Sequence, residues 1–211
     1  MDLRWQGARA WGNQREPFSG GAAVFIRLLV IAILLGLGSG LAAAPVVAQD
    51  APKATLSAAD RAGLDARIDQ MNGMVEAGQF SAMIEFLPPK VLQTIADAFG
   101  VTADEARDAS RMVVDEVMSQ VAIVDYHIDL AGAETFRTPD GSRLYVIFDI
   151  SMLMETQGIR VKSVSSNLAF MDDGVWYLMD PSDPAQAGFL RKAYPEFEGV
   201  TFAPRTMEVI E

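Results

Sequence analysis

The chain is 211 residues long, half of them hydrophobic, with 17 Lys and Arg against 28 Asp and Glu and a net charge of −11. Such an acidic surface repels phosphates and anionic lipid heads, which argues against nucleic-acid binding and electrostatic membrane docking. With no cysteine and a single histidine, disulfides and thiolate chemistry are excluded, and the hydrophobic core must hold the fold alone.

Residues 1–26 mix Gly, Trp and both charges without apolar periodicity, as a short N-terminal extension or a start site assigned too far upstream. Leu28–Ala48 is free of charge, follows Arg27 and ends in small residues. That is the layout of a secretory signal. Val46 and Ala48 occupy the −3 and −1 positions of a cut between Ala48 and Gln49, so an exported, periplasmic protein is expected. The alternative is an uncleaved inner-membrane anchor, because the run is just long enough to span a bilayer. Its last third is Ala, Pro, Gly and Val, and Pro45 favours cleavage. Loss of residues 1–48 removes four Arg, one Asp and one Glu, so the net charge moves from −11 to −13.

The remainder divides into a flexible lead (49–56), a folded domain (57–195) and a C-terminal tail without clear periodicity (196–211). Ser57 to Asp60 reads as a helix cap, followed by Leu64, Ile68, Met71 and Val75 at helical spacing and a stop at Gly78. "QFSAMIEFL" predicts a short second helix halted by Pro88-Pro89. Pro89 opens a third with Val91, Leu92, Ile95 and Phe99 on one stripe, ended by Gly100. Thr102 to Glu105 is a capping box opening a fourth helix that carries Ala106, Ala109, Val113 and Val117.

The hydrophobic period then changes to two. In "VAIVDYHIDLAGAETF" the alternation predicts Val124, Tyr126, Ile128 and Leu130 on one face and Ile123, Asp125, His127 and Asp129 on the other. After the turn Thr138–Ser142, residues 144–154 place Leu144, Val146, Phe148, Ile150, Met152 and Met154 on one unbroken apolar face. Gln157-Gly158 and Asp173-Gly174 predict two tight hairpins. "DPAQAGFLRKAY" predicts a last short helix. Helices first and antiparallel strands after is an α+β pattern, with N-terminal helices packed on one face of a curved sheet.

Two stretches, "MNGMVEAGQFSAMIEFLPPKVL" (71–92) and "FMDDGVWYLMD" (170–180), give the chain a further likeness. In element order it resembles the nuclear-transport-factor-like, cystatin-like α+β roll superfamily over roughly residues 60–182. The helix at 102–120 is longer than many members carry. The resemblance implies a roll closing around a pocket. It also implies that a pocket carboxylate and a tyrosine can move a proton in enzymes of the superfamily, which points to Asp149 beside Tyr145.

The residues themselves favour binding. Asp125, His127 and Asp129 share a strand face, but side chains two apart lie roughly 6.5–7 Å from one another, too far for one metal ion at about 2 Å from each. No metal or other cofactor is expected. Met71, Met74, Met152 and Met154 suit Cu(I) chemically, yet they fall on apolar faces where core filling is the simpler role. The reading is therefore an exported, non-catalytic binding or accessory protein of the cell envelope. A small apolar ligand would sit near Tyr126, Phe148 and Phe170, unless these aromatics are plain core. An envelope partner or a second copy would cover the mixed outer sheet face of Tyr145, Ile147, Leu153, Ala169 and Met171. The alternatives are a small lyase, isomerase or hydrolase using Asp149 or His127, and an envelope assembly factor anchored through Leu28–Ala48.

Overall fold

The computed structural model describes residues 51–210. The expected signal segment, the Ala48–Gln49 junction and residues 1–26 lie outside them. Among the described residues four α-helices run in the order α1 (Ala58–Glu76), α2 (Pro89–Phe99), α3 (Ala103–Met118) and, between the fourth and fifth strands, α4 (Pro184–Ala193). A 3₁₀ segment, Phe80–Phe86, joins α1 to α2. The strands are β1 (Ala122–Arg137), β2 (Leu144–Thr156), β3 (Ile159–Asp172), β4 (Val175–Met179) and β5 (Thr206–Ile210). Helices followed by a curved antiparallel sheet make this an α+β fold. Among the described residues no helix is long and apolar enough to cross a membrane.

The helix ends follow their caps. Ser57 Oγ accepts from the Asp60 amide at 3.1 Å. Thr102 and Glu105 close a reciprocal box, with Thr102 N–H donating to Glu105 Oε2 at 2.8 Å and Glu105 N–H to Thr102 Oγ1 at 3.2 Å. Gly100 ends α2 at φ 67°, a left-handed conformation that costs glycine least. Leu64, Ile68 and Met71 turn the buried stripe of α1 to the sheet, whereas the buried stripe of α3 packs on α2, with Ala106 against Leu92 and Ala96 and with Ala109 and Val113 beside Phe99.

The sheet order is β1-β2-β3-β4, with β5 also on β3. Both predicted two-residue turns form, with positive φ at Gln157 and Gly158 and at Asp173 and Gly174. They fix the register: Phe148 faces Asn167, Ile150 faces Ser165 and Met152 faces Ser163 across β2 and β3. The outer edge of β3 is shared. β4 pairs with Leu168–Asp172, β5 with Arg160–Val164, and Ser165, Ser166 and Asn167 lie in the interval between them.

Three segments differ from the sequence expectation. The β1 alternation slips because pairing jumps from Ile123–Met154 to Asp125–Leu153, leaving Val124 as an extra residue. A bulge of this kind reverses side-chain parity, so Ile123 joins Tyr126 on the inner face while Val124 is exposed. The lead is tied down, since Arg137 N–H donates to Pro52 O and Ala54 N–H to Thr135 O, both at 2.9 Å. Past residue 195, Phe197 and Val200 are fully buried and Thr206–Ile210 completes the sheet.

Two cores result. On the helix side Leu64, Ile68, Met71 and Phe86 pack on Val146, Phe148, Ala169 and Leu178. On the other side α4 and the segment after it cover Phe136, Tyr145, Leu168 and Phe170 with Leu190, Tyr194 and Phe197. That second core occupies one end of the outer sheet face. Ala169, expected outside with Tyr145, pairs with Val146 and belongs to the inner face.

Candidate functional site

Between the helices and the inner sheet face lies a cavity of about 310 Å³. Its roof is apolar: Met71 from α1, Phe80, Met83 and Ile84 from the 3₁₀ segment, Ile95 from α2, and Val114 and Val117 from α3. Its floor is in two halves. β1 and β2 supply Ile123, Tyr126, Phe148, Ile150, Met152 and Met154, whereas β3 supplies Ser163, Ser165 and Asn167. The alternation of β3 is thus inverted in polarity, with hydroxyls and an amide turned to the enclosed side. A fully packed core would set Val or Leu there.

The polar side continues into the interval between β4 and β5. Asp180, just after β4, pairs with Arg205, just before β5, through Oδ2 and Nη2 at 2.5 Å. Asp180 Oδ1 accepts from the Ser182 amide at 2.9 Å and from the Ser182 hydroxyl. Gln186, in the first turn of α4, completes that wall. Asp180 is the one carboxylate among the lining residues, and both its oxygens are engaged.

Several polar groups here lack a partner. Asn167 donates from Nδ2 to Ser165 O and Oγ, each at 3.0 Å, while its Oδ1 accepts nothing. The side chains of Ser163 and Gln186 make no hydrogen bond, although these residues are only 8 % and 9 % exposed. The Tyr126 hydroxyl is sealed from solvent and unpaired, and burial pushes its phenol well above the ordinary value. Ser110, by contrast, returns its hydroxyl to Ala106 O at 2.8 Å. Among the described residues the sealed, unpaired polar atoms are those of Tyr126, Tyr145 and Trp176, of which Tyr126 alone lines the cavity; the groups of Ser163, Asn167 and Gln186 stay open to the cavity, where a ligand can pair with them.

Of the three aromatics expected around a ligand, Tyr126 and Phe148 line the cavity and Phe170 does not. Phe170 faces Tyr145 across β2 and β3, and its ring lies 4.9 Å from that of Tyr194 and 5.1 Å from that of Phe197. His127 and Asp149 are exposed on the outer face, opposite Ser151 and Ser166 in register. Asp129 does more than meet water, for its Oδ1 accepts the Gly132 amide at 2.9 Å inside the second irregularity of β1. Among the described residues no group of three or more His, Asp or Glu is placed to hold a metal ion.

Ser163, Ser165 and Asn167, the polar floor, were not among the site residues expected from the sequence. Counting back from the Gln157-Gly158 turn was the available signal, because it sets Ser163, Ser165 and Asn167 opposite Met152, Ile150 and Phe148 and leaves Ser166 outside. Comparison with protein-family models, with curated proteins and with solved structures finds no match for the chain.

Proposed function

We propose that this protein is an exported binding protein that holds a small, largely apolar ligand between its helices and the inner face of its sheet. The observation carrying this reading is the cavity of about 310 Å³, bounded by apolar side chains but for one polar wall. Ligand sites in general combine such an apolar enclosure with a few placed polar groups, and their volumes begin near 300 Å³. Binding is favoured over acid–base chemistry because the cavity's carboxylate is committed to Arg205 and Ser182. His127 and Asp149 stand outside the cavity. Export rests on the Leu28–Ala48 pattern alone.

The test is a fluorescence titration with the uncharged dye N-phenyl-1-naphthylamine. Saturable enhancement at one site per chain is expected, weakened at least tenfold by Ser163→Phe, which places a ring in the cavity. Ile159→Phe, on an exposed strand end, serves as the control and should bind as the parent does. Absence of saturable binding by a folded chain, or equal binding by Ser163→Phe, overturns the reading.

A further inference from the structure

The polar wall specifies more than enclosure. Ser163, Asn167 and Gln186 are each more than nine-tenths buried, at 8 %, 7 % and 9 % exposure. The Ser163 hydroxyl, Asn167 Oδ1 and the Gln186 amide have no partner in the protein, and none is sealed away as the Tyr126 hydroxyl is. These are neutral donors and acceptors. The charged groups on the same wall, Asp180 and Arg205, neutralise one another across 2.5 Å.

A ligand carboxylate would enter a wall with no uncompensated positive charge, in a protein of net charge −11. An ammonium would find Asp180 already engaged. Either ion would lose its hydration without a counter-charge, and desolvating an ion costs far more than desolvating an alcohol or amide. A wholly apolar ligand would leave the hydroxyl and amides unpaired. The volume limits size: at roughly 30 Å³ per water-sized unit the cavity holds about ten such units.

From this geometry we infer that the ligand is an uncharged amphiphile small enough for the cavity of about 310 Å³. Its alkyl part lies against Ile150, Met152 and Val114, and its alcohol, ketone, ester or amide group meets Ser163, Asn167 and Gln186. The inference deepens the binding reading and rests on it.

The test displaces N-phenyl-1-naphthylamine from the full chain, stripped of co-purified small molecules, using 1-decanol, decanoate and decylammonium. Decanol is expected to compete at least tenfold better than either ion. Because decanol is also the least water-soluble of the three, the wall is tested separately with the Ser163→Ala, Gln186→Met variant. Neither substitution removes a side-chain hydrogen bond, so thermal unfolding should not fall. Decanol affinity should drop at least fivefold, and by a larger factor than any change in dye affinity. Decanoate or decylammonium binding as tightly as decanol overturns the inference, and so does a variant with unchanged decanol affinity. In those cases the dye still binds and the broader reading stands. If neither dye nor amphiphile binds, the binding reading falls with it.

Discussion

The same chemical change, loss of one phenolic oxygen, should have opposite effects at two tyrosines. The Tyr126 hydroxyl is sealed and has no partner, whereas the Tyr194 hydroxyl donates to Asp172 Oδ2 at 2.9 Å. Tyr126→Phe removes a desolvation cost of about 1–3 kcal/mol. It leaves a void of about 10–15 Å³, worth roughly 0.3 kcal/mol at about 24 cal/mol per Å³. The net expectation is a gain of about 1–2 kcal/mol, or about 3–6 °C in Tm for a domain of this size. Tyr194→Phe removes a hydrogen bond to a charged acceptor and should cost about 1.5–3 kcal/mol. Urea unfolding followed by circular dichroism on ligand-free protein measures both. If Tyr126→Phe destabilises as much as Tyr194→Phe, the Tyr126 hydroxyl has a partner in solution and the account of the cavity wall is wrong.

Three further outcomes follow from named groups. Burial opposes ionisation of Asp172, 12 % exposed, but Lys90 at 3.0 Å, Tyr194 and Arg143 hold its carboxyl below the usual range. A depressed carboxyl stabilises the fold above its unfolded value near about 4 and ceases to as pH falls below it. Asp172→Asn should therefore lose about 1–3 kcal/mol at pH 7, with the deficit against the parent closing below about pH 4 in pH-dependent urea melts. At the alkaline end, burial raises the phenols of Tyr126, Tyr145 and Tyr194, that of Tyr145 to about 12. Raised phenols leave stability intact below about pH 10 and withdraw it above, so absorbance near 295 nm should show these three of the four tyrosines ionising only with unfolding. Gln157 sits at φ 51° in the β2–β3 turn, where asparagine is more at ease; Gln157→Asn should gain about 0.5 kcal/mol in thermal melts.

Much of the fold was legible because local signals agreed with one another. Caps at Ser57 and Thr102, the stop at Gly100 and the Gln157-Gly158 and Asp173-Gly174 turns each mark a boundary where a run of periodic apolar residues begins or ends. The errors have a common physical source in parity. Val124 is inserted by a bulge that depends on pairing with β2, and nothing in the local alternation announces it. Phe170 looks like a partner of Phe148, but the hairpin register places it opposite Tyr145 and on the other face. The tail past residue 195 lacks periodicity because its buried residues, Phe197 and Val200, pack from a single 3₁₀ turn (Pro195–Phe197) and the segment after it, and β5 is short and exposed, with Val209 at 67 %. The site was hidden for the same reason. Serines and an asparagine in a strand suggest a wet face until register turns them inward.

Methyl-resolved NMR of the chain titrated with 1-decanol shows whether a ligand lies between the helices and the polar column of β3. Intermolecular NOEs are expected from the alkyl chain to Ile150, Met152 and Val114, with amide shifts at Ser163 and Asn167. Shifts confined to the exposed Val124, Val209 and Ile210, with those lining methyls unmoved, would contradict that placement.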